Sequence, residues 1–202
     1  MPVTLPSCGV YERPEDAHRL FEGYDPRRAL FLDRDGVINA DHGYVHRPED
    51  TEWIPGVFNL CRVAIDVGAL IIVVTNQAGI ARGYYSEQQF LDYTGWVHGQ
   101  FASHEIVLQA TCYCPHHPDA PDPALRLCSC RKPLPGMILE AARRYRIDLG
   151  ASALLGDKPW DVQAGQAAGV GLNLRFDPNA MAEPGVVRTM QEAGQVLHRF
   201  FE

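Results

Sequence analysis

The stretch Leu30-Phe31-Leu32-Asp33-Arg34-Asp35-Gly36 narrows what this chain can fold into more than any other. An apolar run that stops abruptly on two carboxylates and a glycine reads as a buried strand, with both acids just beyond its carboxyl end. Open α/β sheets bind ligands at that edge. Alternate residues of an extended chain point the same way, so Asp33 and Asp35 can face one cavity. Two acids there suit a hard cation, or a nucleophile paired with an acid/base. A surface Asp-x-Asp-Gly turn is the plainer alternative.

The rest of the chain repeats the pattern. After the strand Ala29–Leu32 and a polar loop to Pro48, Pro55-Gly56 opens a helix with Val57, Leu60, Val63, Ala64 and Val67 at helical spacing, which stops near Gly68. Leu70–Val74 is a β-branched run, a second buried strand, and it ends in Thr75-Asn76-Gln77-Ala78-Gly79. Ser86 and Gln89 have capping-box spacing and start a helix to about Ser103. Glu105–Thr111 reads as a third strand, followed by a Cys/His loop over 112–130. Pro135-Gly136 opens a helix to Tyr145. Ala153–Leu155 is a fourth strand, ending in Gly156-Asp157-Lys158. A helix over Pro159–Ala168, a strand over Gly169–Leu174 and a last helix carrying Val186, Met190, Ala193 and Leu197 complete the order. Residues 1–28 are polar, interrupted by Pro2, Pro6, Pro14 and Pro26. They read as an extension packing on the outside, with a short helix at Asp16–Phe21; residues 29–202 form one domain.

Strand and helix alternate, so the expected fold is α/β, a doubly wound parallel sheet. Polar motifs end three of its strands at one edge. No insertion is long enough for a cap domain, so the site is expected to be open, with the Cys/His loop as a partial wall.

The formal charge of −7 argues against a nucleic-acid surface, which needs a basic stripe. No apolar run approaches the roughly 18–20 residues needed for a helix to cross a bilayer. The first residues lack the basic-then-apolar pattern of a signal peptide, and the expected compartment is the cytoplasm. Of six cysteines, Cys112, Cys114, Cys128 and Cys130 are clustered, which in a reducing compartment reads as metal binding; Cys8 and Cys61 are expected to be unpaired.

Asp33-Arg34-Asp35-Gly36, Thr75-Asn76, Lys132 and Gly156-Asp157-x3-Asp161 match in order the four motifs of the haloacid dehalogenase (HAD) phosphatase superfamily, over residues 29–174. The finer pattern resembles the D-glycero-D-manno-heptose 1,7-bisphosphate 7-phosphatases and the related histidinol-phosphatases. It rests on Asp33-Arg34-Asp35-Gly36-Val37-Ile38-Asn39, Asp41-His42-Gly43-Tyr44-Val45, the run Thr75 to Gly83, the Cys/His loop and Cys130-Arg131-Lys132-Pro133. The resemblance implies a capless phosphomonoester hydrolase of the D-glycero-β-D-manno-heptose 1,7-bisphosphate 7-phosphatase type, with preference at C1 left open. Asp33 would be the nucleophile and Asp35 the general acid/base, with Thr75 and Lys132 on the phosphoryl oxygens. Mg²⁺ would sit on Asp33, the backbone carbonyl of Asp35 and Asp157, and Asp161 would orient Lys132 or a metal-bound water. Asp41, His42, Gly43, Tyr44, Thr75, Asn76, Gln77, Ala78, Arg131, Lys132 and Lys158 match substrate-contact positions.

Cys114-x-His116 and Cys128-x-Cys130 supply four soft or borderline ligands, for which tetrahedral, structural Zn²⁺ is the natural occupant. The family pattern assigns Cys114, His116, Cys128 and Cys130, with His117 and Cys112 as spare candidates. The metal would fix Arg131 and Lys132, which follow directly. The expected partner is a small phosphorylated sugar, without nucleic acid or membrane, and the expected state is a monomer. Rivals are histidinol phosphate, a mononucleotide or another small sugar phosphate as substrate, a nucleic-acid 3′-phosphatase, and a zinc-stabilised binding module without catalysis.

Overall fold

The computed structural model describes residues 8–14 and 27–202. A seven-stranded sheet runs through the centre in the order β1-β4-β3-β2-β5-β6-β7. These are β1 (Gly9–Tyr11), β2 (Ala29–Leu32), β3 (Leu70–Asn76), β4 (Ala110–Cys114), β5 (Ala153–Gly156), β6 (Leu172–Phe176) and β7 (Val186–Val187). Every pairing is parallel except β1 with β4. The chain winds outward from β2 through β3 to β4, then returns to the other side of β2 to form β5. That reversal leaves a crevice at the carboxyl ends of β2, β3 and β5.

Each central strand is apolar on both faces, because helices cover both sides. Leu30, Leu32, Ile71, Val73, Ala153 and Leu155 face one core, built with α1 (Val57–Asp66), α3 (Glu87–Ser103) and α6 (Met190–Phe201). Phe31, Ile72, Val74 and Leu154 face the other, built with α4 (Gly136–Tyr145) and α5 (Pro159–Ala168). A short α2 (Ala78–Ala81) turns the chain after β3. The capping box at the start of α3 forms as read, with Ser86 Oγ accepting from Gln89 N and Gln89 Oε1 accepting from Ser86 N. Among the described residues no helix is long and apolar enough to cross a membrane.

Four local expectations are corrected. The third strand is Ala110–Cys114 rather than Glu105–Thr111, because the ladder with β3 begins only at Ile72–Ala110. Cys112 and Cys114 are therefore strand residues, and the loop proper starts at Pro115. The strand expected over Gly169–Leu174 is Leu172–Phe176, since Gly169 closes α5 with a left-handed φ of 86°. Val186 belongs to the short strand β7, and the last helix starts at Met190, behind Thr189, whose hydroxyl caps it. Finally, Gly9–Tyr11 joins the sheet as an edge strand, and Glu12 ties it to α4 through Arg144 at 2.9 Å and the hydroxyl of Tyr145. The helix read at Asp16–Phe21 lies outside the described residues.

Candidate active site

Asp33 follows β2 directly, and its N–H still donates to Leu155 O at 3.0 Å, which holds it at the sheet's carboxyl edge. Its Oδ1 accepts from Arg34 N at 2.7 Å and pairs with Lys132 Nζ at 2.9 Å. That ammonium also meets Asp161 Oδ1 at 2.6 Å and donates to Val74 O at 2.8 Å, so all its protons are engaged. Burial pulls Lys132 down, but Asp33 and Asp161 outweigh it and hold the ammonium above its ordinary range. Burial pushes the Asp33 carboxyl up to about 8; Lys132 opposes the rise, while Asp161 and Asp157 add to it.

Asp161 is spent on architecture. Its second oxygen accepts from Lys158 N at 2.9 Å, capping α5. Two glycines make this packing possible. A Cβ on Gly156 would lie 2.1 Å from that of Asp161, and one on Gly36, whose φ is 90°, would lie 2.3 Å from Asp157 Oδ2. Both positions exclude a side chain. Asp157 pairs through Oδ2 with Lys158 Nζ at 2.5 Å, while its buried Oδ1 has no protein partner. One oxygen each from Asp33, Asp157 and Asp161 lies within 4.8 Å of the others. Three carboxylates facing two ammoniums, those of Lys132 and Lys158, leave a net negative charge, and Asp157 Oδ1 is buried there without a partner. A divalent cation with oxygen ligands fits that donor set.

Asp35 accepts only. Arg34 donates to both of its oxygens, at 2.8 Å and 3.0 Å from Nη2, and Asn39 and Gln77 add bonds at 3.0 Å and 3.2 Å. Gln77 Nε2 also donates to Thr75 Oγ1 at 2.8 Å, and Tyr85 Oη donates to Gln77 Oε1 at 2.6 Å. The amide of Asn76 is equally committed, giving Nδ2 to Lys132 O and taking Lys132 N on Oδ1. Motifs distant in sequence are thus bolted together by side-chain amides.

These groups line an open cavity of about 360 Å³, bounded by Asp33, Asp35, Asp41, Gly43, Tyr44, Thr75, Asn76, Gln77, Ala78, Arg131, Lys132, Asp157 and Lys158. His42 alone among the expected substrate contacts is not there; its ring reaches out to Glu52 at 3.2 Å instead. Sequence reasoning missed Tyr85 and Trp160, which also line the cavity. Trp160 stands beside Asp161 in the fourth motif and remains 43% exposed at the mouth. Its place inside the fourth motif, next to Asp161, is the signal that could have marked it.

Behind the cavity, Cys114, His116, Cys128 and Cys130 close together. Cys114 Sγ lies 3.6 Å from Cys128 Sγ, and His116 Nδ1 lies 3.5 Å and 3.6 Å from Cys114 and Cys130. A tetrahedral zinc centre with its usual bond lengths spaces two sulfurs by about 3.8 Å and sulfur from nitrogen by about 3.6 Å. These three separations fit such a centre, which the four side chains could hold. Cys112 is buried in β4 outside the cluster, and His117 turns to Arg82 at 3.1 Å. Arg131 N donates to Cys128 Sγ at 3.4 Å and Arg131 Nη1 to His116 O at 3.2 Å, so the cluster grips the residue next to Lys132 directly.

A HAD-hydrolase-like family model matches residues 129–173. A D-glycero-β-D-manno-heptose-1,7-bisphosphate 7-phosphatase of Yersinia pestis is 46% identical over 144 residues, covering 71% of this chain and 77% of its own. The D-glycero-α-D-manno-heptose-1,7-bisphosphate 7-phosphatase of Burkholderia mallei is 51% identical over 148 residues, 73% of this chain and 78% of its own. Among solved structures, the D,D-heptose 1,7-bisphosphate phosphatase of B. bronchiseptica, crystallised with magnesium and phosphate, superposes with a TM-score of 0.72. It has 29% identity, over 85% of this chain and 98% of that one. The chain belongs to the D-glycero-D-manno-heptose-1,7-bisphosphate 7-phosphatase family of HAD-like hydrolases.

Proposed function

We propose that the chain is a Mg²⁺-dependent phosphatase that removes the C7 phosphate of D-glycero-D-manno-heptose 1,7-bisphosphate through an aspartyl phosphate. The observation that carries this reading is the convergence of Asp33, Asp35, Thr75, Lys132 and Asp157 on one open cavity. Asp33 attacks phosphorus; the bond from phosphorus to the C7 oxygen breaks, and Asp35 gives its proton to the departing alkoxide. Asp35 then takes a proton from water as that water bonds to phosphorus and the Asp33–phosphorus bond breaks, releasing inorganic phosphate. Thr75 and Lys132 hold the phosphoryl oxygens, Lys132 exchanging its contact with Asp33 for one with the transferred group. Asp33, the backbone carbonyl of Asp35 and Asp157 would hold Mg²⁺, which would neutralise charge on the phosphoryl group.

Asp41, Gly43, Tyr44, Arg131 and Lys158 surround the mouth and are left to the sugar and its second phosphate, with Arg131 suited to bidentate binding of an oxyanion. A zinc–thiolate cluster requires reduced sulfur, which fits the cytoplasm. Histidinol phosphate is not favoured as substrate, since the relatives at 46–51% identity are named for heptose bisphosphate. They divide between the two anomers, so the deciding measurement is kcat/KM on both anomers, histidinol phosphate and fructose 1,6-bisphosphate. The expected result is a preference of about 100-fold or more for one heptose anomer, roughly 2.7 kcal/mol in transition-state binding. Equal or better turnover of histidinol phosphate overturns the assignment.

Zinc enters only through positioning. Stripping it is expected to lower kcat by at least about tenfold, as losses of supporting shells do, with a local change in the loop that ends at Arg131 and Lys132. Full activity and an unchanged circular dichroism spectrum after verified zinc loss count against that role.

A further inference from the structure

Arg34 lies between the two acids and has no part in the scheme above, yet it is the most heavily invested side chain near the cavity. It is 2% exposed. Its guanidinium lies over the rings of Phe90 and Tyr93, at 5.6 Å and 5.1 Å from their centroids, and Nη2 donates to Val45 O at 2.7 Å. Its one carboxylate partner among the described residues is Asp35, reached from Nε at 3.2 Å and from Nη2 at 3.0 Å and 2.8 Å. Nη1 is buried with no hydrogen-bond partner. A buried cation with an unpaired donor is costly. A side chain kept only for packing would avoid that cost, since an apolar residue of similar length would fill the same space between the rings.

We propose that Arg34 is the positioning residue for the acid/base carboxylate of Asp35, a role that rests on the assignment of Asp35 above. An aspartate side chain beyond a strand end has rotamers to choose from. A planar fork gripping both oxygens removes that choice. Oδ1 accepts from Arg34 Nε, Arg34 Nη2 and Asn39 Nδ2, whereas Oδ2 accepts from Arg34 Nη2 and Gln77 Nε2. Oδ2 is the less committed oxygen and is the one that exchanges a proton with the leaving group and with water. Arg34 lies behind Asp35 and is shielded by aromatic rings, so it does not touch the substrate. Its contribution reaches the reaction only through Asp35.

The test uses Arg34→Met, which keeps the apolar stem, and Arg34→Lys, which keeps a buried charge but loses the fork. Each is assayed as the Mg²⁺- and zinc-loaded full chain with heptose bisphosphate and with p-nitrophenyl phosphate. Nitrophenoxide departs without a proton, so its release bypasses the acid role, whereas hydrolysis of the aspartyl phosphate still needs the base. The expected result is a burst of nitrophenol equal to the enzyme concentration, followed by slow turnover. With heptose bisphosphate there is no burst, kcat is lower by about 10²–10³-fold, and KM is little changed. Both variants carry the signature, so the test stands if the methionine variant fails to fold. Equal losses on the two substrates without a burst, or parent-like rates, overturn the proposal. Asp35→Asn is the reference. If it shows the burst and the Arg34 variants do not, only the role of Arg34 fails; if it does not, the assignment of Asp35 fails first.

Discussion

Asp33→Asn is expected to abolish turnover, by about 10⁵-fold or more in kcat, while the fold survives. The amide is nearly isosteric with the carboxylate but cannot form a mixed anhydride with phosphate, so the two-step route is closed rather than slowed. The stability consequence follows from the surroundings. Burial, with Asp161 and Asp157 close by, raises the Asp33 carboxyl, with Lys132 opposing. A carboxyl whose affinity for protons is higher folded than unfolded makes the metal-free protein less stable once it ionises, and this loss grows as pH rises towards about 8. A neutral amide removes that term. The metal-free variant is therefore expected to melt no lower than the parent at pH 8, and the gap between them should close as pH falls. Residual activity above about one per cent of the parent would dismiss Asp33 as the nucleophile. A parent protein that binds heptose bisphosphate but never hydrolyses it would favour the binding-module alternative.

How far the sequence carries follows from the kind of signal each part leaves. β2 and β3 are legible because strands covered by helices on both faces must be apolar throughout, and the carboxylates that end β2 mark its edge. The helix after Ser86 is legible because its cap is written in two residues three apart. The misplacement of β4 has a physical cause. Ile106 and Leu108 are fully buried and look like strand, but they serve the climb out of α3, where Ile106 N donates to Phe101 O and Glu105 takes a φ of 62°. β1 leaves little signal, because Gly9, Val10 and Tyr11 are too few to show a period; backbone pairing with β4, packing of Val10 on the core and Glu12 hold it. The site divides in the same way. Residue types that do chemistry stand in motifs and can be read. What they lean on cannot, since Arg34 meets Val45, Phe90 and Tyr93, and Lys132 meets Asn76, only after the chain has folded.

The second large effect is expected at Lys132. Its ammonium joins Asp33, Asp161 and the Val74 carbonyl at a position 4% exposed. Lys132→Met keeps the length of the side chain and removes the charge, so two buried carboxylates lose their shared cation. Breaking one side of a buried ion pair typically costs about 3–5 kcal/mol. That loss should appear in denaturant unfolding of the metal-free protein above about pH 8, where the Asp33 carboxyl ionises, and it should shrink as pH falls and the freed carboxylates take up protons. Mg²⁺ should recover part of it, because a cation shared by Asp33 and Asp157 replaces some of the lost charge. Activity should not follow. Even with Mg²⁺ saturating, kcat is expected to stay down by about 10²–10³-fold, as when a donor aimed at developing charge is removed. The dissociation between the two readouts is the informative part. If Mg²⁺ restores stability and rate together, Lys132 serves only to keep two carboxylates apart; if stability returns and rate does not, the ammonium acts on the phosphoryl group itself.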